Sequence, residues 1–163
     1  VVGERELQFV EYFQARVQAL RRLAYALCGD WHSAEDLTQA TFVRLYRAWP
    51  RIRMESIDAY ARRTMVNAFL SFRRAHRREV VLADPPDTTA SHQDVTSRIA
   101  LHRALNALPT GQRAVVVLRY LEDLPVADVS ALLNLSEGTV KSHTARAIQS
   151  LREALRDVAL IEE

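Results

Sequence analysis

Cysteine is almost absent from this chain. Cys28 stands alone among 163 residues, which excludes an internal disulfide and a multi-cysteine metal site. Glycine is scarce, at four, and runs of β-branched residues are few. With Ala, Leu and Arg abundant, that balance points to helix rather than sheet. Long apolar stretches are missing. The longest purely aliphatic run is Ala114 to Leu118, far too short to cross a bilayer. No charged-then-apolar leader pattern opens the sequence, so the expectation is a cytoplasmic protein without membrane contact of its own. His32, His76, His92, His102 and His143 show no metal-ligand spacing. Glu35 and Asp36 are adjacent, so on a helix they point in different directions and cannot pair as acid and base. No metal, no cofactor and no intrinsic catalysis are expected.

Net charge is also small, +2 overall, but its distribution is uneven. Residues 60–79 hold six Arg against Glu79, a net of +5. Residues 80–97 hold Asp84, Asp87 and Asp94 and no Lys or Arg, a net of −3. A weak total thus hides a strong local basic stripe, the informative quantity for a polyanionic partner. A solvated Arg-rich helix is the plain alternative.

What is present is helical periodicity. Phe9, Phe13, Val17, Leu20, Ala24 and Leu27 step by three and four, predicting a helix from about Arg5 to Cys28 that Gly29 and Asp30 break. Ser33-Ala-Glu-Asp36 resembles a capping box, predicting that Ser33 opens a second helix running to about Trp49. Pro50 to Ser56 reads as a loop, and a third helix follows from about Ile57 to Glu79. Asp84-Pro-Pro-Asp-Thr-Thr-Ala-Ser has no helical period and reads as part of a flexible acidic linker over 81–95. Four more helices are predicted at about Val95–Leu108, Gly111–Leu121, Val126–Leu133 and Glu137–Leu155. The expected fold is all-α, with two small helical domains, 1–80 and 96–163, joined by that linker.

Pro125 to Ala147 carries the clearest motif. Two helices meet at a very short turn, the layout of a helix-turn-helix that lays its second helix in the major groove of DNA. Asn134 sits where a left-handed residue is needed, Ser136 can cap the second helix, and Gly138 lets its first turn approach a surface closely. Val140, Thr144, Ala147, Ile148, Leu151 and Leu155 form the inner face, against Val129, Leu132 and Leu133. Glu137, Thr139, Lys141 and Ser142 are then placed to meet base edges or phosphates, with His143 and Arg146 beside them. A bland helical hairpin shares the period but not the combination of turn residue, cap, glycine and polar outer face.

In the third helix Arg63, Asn67, Ser71 and Arg74 recur at helical spacing, flanked by Arg62, Arg73, Arg77 and Arg78. Tyr60, Phe69 and Phe72 are interleaved. Flat rings among guanidinium groups suit unpaired bases, although Phe72, with Met65 and Ala68, reads better as core. Asn67 is either a base contact or a buried hydrogen-bonder.

Three blocks in fixed order resemble a known family. Ser33-Ala-Glu-Asp-Leu-Thr-Gln-Ala-Thr-Phe to Trp49, Leu108-Pro-Thr-Gly-Gln-Arg to Leu124, and Leu135-Ser-Glu-Gly-Thr-Val-Lys-Ser142 are similar to the conserved segments of bacterial RNA polymerase sigma factors of the extracytoplasmic-function group. Residues 62–71 look most like an actinobacterial branch. The resemblance implies a protein that binds core RNA polymerase through Asp36, Gln39 and neighbours such as Phe42. It implies recognition and opening of the promoter −10 element by Arg51, Arg53, Met54, Ser56, Arg63, Asn67, Arg74 and Arg77. It implies reading of the −35 duplex by Ser136, Glu137, Gly138, Thr139, Lys141, Ser142, His143 and Arg146. It further implies an inhibitory anti-sigma partner and a linker threading towards the polymerase active-site channel. The chain departs from the usual pattern at Tyr60 (often Trp), Ser71 (often Asp), Ser130 and Asn134 (often Ala and Gly), His143 (often Arg) and Thr144 (often Leu). A stand-alone helix-turn-helix transcriptional regulator is the rival reading, and Ser33–Trp49, which such a regulator does not need, discriminates against it. A DNA-processing enzyme would need a nucleophile or paired carboxylates that the sequence does not offer.

Overall fold

The computed structural model describes residues 3–80 and 97–159, with side chains over 3–75 and 98–156. Every regular element among the described residues is helical: α1 Glu4–Cys28, α2 Trp31–Ala48, α3 Ile57–Val80, α4 Ser97–Ala107, α5 Thr110–Val116, α6 Val126–Leu133 and α7 Glu137–Ala159. The chain divides into two units, Val1–Ser71 and Phe72–Glu163. The division falls inside α3, short of the expected domain end at residue 80. The expected linker, 81–95, lies outside the described residues.

In the first unit α1 ends because Gly29 adopts a left-handed conformation, φ 85°, and its N–H closes onto the Tyr25 carbonyl at 2.8 Å. The chain leaves that turn extended at Asp30, whose Oδ1 accepts the Ser33 amide at 2.8 Å. The capping box expected at Ser33 is therefore corrected: Asp30 is the cap, and α2 starts two residues before Ser33. Asp and Ser are comparable caps, and the exit from Gly29 brings Asp30 into the capping conformation first. Glu35 is tied to Arg21 of α1 by an ion pair. Leu23 and Leu27 of α1, Leu37 and Leu45 of α2, and Met65 and Val66 of α3 are the fully sealed core.

Between α2 and α3 the chain makes two three-residue 3-10 turns, Trp49–Arg51 and Met54–Ser56. Trp49 is buried under Phe9 and Tyr12, with ring centroids 5.2 and 5.5 Å away. Within α3 the core ring is Phe69, while Phe72 is 37% exposed. The expectation that Phe72 is core is thus corrected: Met65, Ala68 and Phe69 fill that side of the helix.

The second unit is organised on α7, against which α4, α5 and α6 all pack. Leu108, Val116 and Ala147 form one buried cluster, extended by Leu105 and Leu151. Past Val116 the helix widens into a π-helical stretch, Val117–Leu121. The Glu122 amide reaches back to the Val117 carbonyl at 3.2 Å, and an Arg119 guanidinium N–H donates to the Leu124 carbonyl at 2.6 Å. Asp123 takes φ 53° at the end of this turn.

Candidate nucleic-acid interface

The turn between α6 and α7 matches its sequence signature. Asn134 lies at φ 54°, ψ 46°, and its N–H closes onto the Ser130 carbonyl. That carbonyl also accepts the Leu135 amide at 3.1 Å, while the Ser130 hydroxyl donates to the Leu135 carbonyl at 2.5 Å. Ser130 therefore grips the turn with both its backbone and its side chain. Ser136 then caps α7: its Oγ accepts the Thr139 amide at 3.1 Å and lies 2.8 Å from the Thr139 hydroxyl.

Past this cap the side chains sort by exposure. Ser136, Glu137, Gly138, Lys141, Ser142 and Arg146 are exposed and Thr139 is half-buried, while Val140 and Ala147 are buried. A Cβ added to Gly138 would meet only Ser136 Oγ, at 4.0 Å. Nothing in the packing of the described residues requires a glycine there. Thr144 is accommodated by donating its hydroxyl to the Val140 carbonyl at 2.7 Å.

His143 does not join the outer group. It is half-buried, its Nδ1 is buried without a hydrogen bond, and its Nε2 lies 3.7 Å from where a Gly111 side chain would start. The imidazole thus packs on the amino end of α5, and its expected place beside Lys141 on the outer face is corrected. The hundred-degree step of a helix permits either placement. The small residue at 111 makes room for the inner one.

On α3, Arg63 and Asn67 are exposed, and Ser71 donates its hydroxyl to the Asn67 carbonyl at 3.0 Å. The alternative of a buried Asn67 is removed. Tyr60, 41% exposed, precedes Arg63 and Asn67 at helical spacing, so a ring lies on the same face. It was visible in the sequence as an interleaved aromatic, but periodicity alone could not separate it from the core aromatics. Arg74 is exposed further along α3, and the Arg77 side chain lies outside the described residues. In the loop before α3, Arg51, Arg53 and Ser56 are exposed and Met54 is 50% exposed, an unbranched apolar side chain held out into solvent.

On α2, Asp36 and Gln39 are exposed, but Phe42 is 6% exposed and lies edge-on to Phe9 and Phe13 at 6.4 and 4.7 Å. Phe42 is therefore an anchor of α1 on α2 and leaves the expected outward group. Val43, at the next position and one heptad from Asp36, is exposed. Among the described residues no cluster of His, Cys, Asp or Glu could hold a metal ion, and no helix is long and apolar enough to cross a membrane.

A helix-turn-helix with an open, capped second helix, together with a further helix presenting arginine, amide and aromatic groups, has the features of a helical DNA-binding protein. The family descriptions agree: Sigma-70 region 2 matches residues 12–79 and Sigma-70, region 4 matches residues 98–151. The chain is 40% identical over 156 residues to the RNA polymerase sigma-E factor of Streptomyces coelicolor, covering 91% of this chain and 86% of that one. It is 33% identical to the ECF RNA polymerase sigma factor SigE of Mycolicibacterium smegmatis, covering 89% of this chain and 60% of the relative. Among solved structures, the sigma factor RpoE of Bartonella quintana, in complex with the anti-sigma factor NepR, superposes with a TM-score of 0.71 at 28% identity. That match covers 91% of this chain and 97% of that one. CnrH, in complex with the cytosolic domain of CnrY, gives 0.59 at 25% identity, over 92% and 88% of the two chains. The chain belongs to the extracytoplasmic-function sigma factors of bacterial RNA polymerase. It directs promoter-specific transcription initiation, and the reading as a stand-alone regulator is not favoured.

Proposed function

We propose that the labour of initiation is divided among three surfaces of this chain. The exposed side of α2, with Asp36, Gln39 and Val43, docks on core RNA polymerase. The loop with Arg51, Arg53, Met54 and Ser56, and the α3 face with Tyr60, Arg63 and Asn67, receive the −10 region as it opens. Arg74 and Arg77 hold its phosphates. A ring beside guanidinium groups can stack on an extruded base while the cations hold the backbone. The capped first turn of α7 docks on the −35 duplex. Thr139 N–H is already taken by Ser136, so the amides of Glu137 and Gly138 are left for a phosphate oxygen. Lys141, Ser142 and Arg146 continue that surface along the helix.

The observation that carries this reading is the sorting of α7, where Glu137, Lys141, Ser142 and Arg146 are exposed, Thr139 is half-buried, and Val140 and Ala147 are sealed. Domain limits of 1–80 and 96–163, with an acidic tether at 81–95, belong to the same reading. The chain has no chemistry of its own: it supplies selectivity, and the polymerase supplies catalysis without a cofactor from this subunit. Its place is the cytoplasm, where polymerase and chromosome are. An anti-sigma protein is a further partner. The structural neighbour RpoE of Bartonella quintana is bound to the anti-sigma factor NepR, and half-exposed Leu7, Val10 and Val43 offer apolar surface for such a partner here.

Pull-down with purified core polymerase and a promoter-duplex binding assay test the division. Lys141→Ala and Arg146→Ala should weaken duplex binding and leave polymerase binding intact. Loss of polymerase binding first would refute the assignment of the outer face. Co-purification from the native cell without an inhibitory protein would count against the anti-sigma partner.

A further inference from the structure

The loop proposed to meet the −10 region has few internal restraints. Its hydrogen bonds close two local turns: Ile52 N–H to the Trp49 carbonyl at 3.2 Å, and Ser56 N–H and hydroxyl to the Arg53 carbonyl at 3.1 and 3.2 Å. Its ends are fixed from outside, and both are fixed by α1. At the first end, Trp49 is buried against the rings of Phe9 and Tyr12. At the second, Asp58 in the first turn of α3 accepts the Tyr12 hydroxyl at 3.2 Å. The same carboxylate takes a fork from Arg16, with Nε at 2.9 Å and Nη2 at 2.6 Å. Tyr12 is common to both ends: its ring faces Trp49 and its hydroxyl reaches Asp58.

We infer that Tyr12 is a positioning residue for promoter opening, holding both ends of loop 50–56 so that Met54 and its neighbours are presented in one geometry, with Arg16 as the second hand on Asp58. The inference rests on the reading of that loop as a −10 contact. Exposure argues for positioning over bulk stability. The Arg16 and Asp58 side chains are 43% and 53% exposed, and an ion pair so exposed contributes little to folding. A planar fork on a carboxylate nevertheless fixes direction, and Asp58 at the amino end of α3 also suits the positive pole of that helix. The phenol donates at physiological pH as any tyrosine would, and burial, then the Asp58 charge, push its pKa further up to about 12. A loop held ahead of time does not spend binding energy on ordering itself when the base arrives.

The test uses the full chain reconstituted with core polymerase on a promoter this factor uses, with a fluorescent base analogue in the −10 region. Four variants are compared with wild type: Tyr12→Phe, Asp58→Asn, Asp58→Glu and Met54→Ala. Tyr12→Phe keeps the ring on Trp49 and removes only the hydroxyl. The expected result is opening slowed by about tenfold in Tyr12→Phe and Asp58→Asn, since small misplacements of a reacting partner cost one to two orders of magnitude in rate. Polymerase affinity and thermal midpoint should stay at wild-type values. Tyr12→Phe combined with Asp58→Asn should be no slower than the slower single variant, and Asp58→Glu should recover part of the rate. Wild-type opening in Tyr12→Phe with slowed opening in Met54→Ala would overturn the clamp and leave the loop reading standing. Wild-type opening in both would overturn the loop reading and the clamp with it. A parallel fall in polymerase affinity and thermal midpoint would reduce Tyr12 to a general structural role and likewise overturn the inference.

Discussion

The Ser130 hydroxyl donates to the Leu135 carbonyl at 2.5 Å, across the turn that sets α6 against α7. Both Ser130 and Asn134 depart from the Ala and Gly usual in this turn, and the structure makes them a compensating pair. Asn tolerates the left-handed region less well than Gly, and the hydroxyl adds a bond that Ala could not. Ser130→Ala should lose about 1 kcal/mol of stability, the net worth of a typical internal hydrogen bond. Asn134→Gly should be neutral or stabilising by up to about 1 kcal/mol. Urea unfolding of both variants checks this, and Ser130→Ala at wild-type stability would remove the clamp.

Gly138 separates folding from recognition. Its space is open, so Gly138→Ala should leave stability unchanged or raise it by up to about 1 kcal/mol, the helix advantage of Ala over Gly. Its affinity for a −35 duplex should fall, because the added methyl holds the first turn of α7 away from the backbone. Calorimetric melting and fluorescence anisotropy with a promoter duplex read the two effects independently.

Phe42 and Asp36 should fail in different ways. Phe42→Ala empties a buried site between α1 and α2 and should cost about 3 kcal/mol of stability. Asp36→Ala and Gln39→Ala lie on the exposed side of α2 and should weaken polymerase binding with the melting midpoint unchanged. Melting curves beside polymerase titrations distinguish the two. A stable Phe42→Ala that no longer binds polymerase would return Phe42 to the outward group.

These outcomes mark how far the sequence reached. The left-handed Asn134, the Ser136 cap and the Gly29 stop were legible because each is decided within a few residues. Asp30 against Ser33 was not, since both can cap and the choice depends on how the chain leaves Gly29. Phe69 against Phe72, Phe42 against Val43, and the inward turn of His143 are decided by what each helix packs on, which periodicity resolves only to within about a residue. The bond from Tyr12 to Asp58 joins positions 46 residues apart and leaves no local pattern at all.

Burial of Tyr12, with the Asp58 charge beside it, carries a pH signature. The Tyr12 pKa is raised in the folded chain from the ordinary 10.0 to about 12. A group raised by folding contributes its stability below the unfolded value and loses it as pH climbs through the folded one. Wild type and Tyr12→Phe should therefore be equally stable from neutral pH to about 10, and wild type should fall below Tyr12→Phe between about 10 and 12, where the unfolded chain ionises first. Ultraviolet titration should show one late-ionising tyrosine in wild type that Tyr12→Phe lacks. An unchanged titration curve would contradict the assignment.

The most direct measurement is the kinetics of open-complex formation by reconstituted holoenzyme carrying Lys141→Ala or Asn67→Ala, with initial promoter binding and subsequent opening resolved as separate steps. Lys141→Ala should weaken the first step, lower its salt dependence by about one unit of slope, and leave the opening rate unchanged. Asn67→Ala should slow opening and leave initial binding near wild type. If both substitutions acted on the same step, the assignment of duplex docking to α7 and of strand capture to α3 would be contradicted.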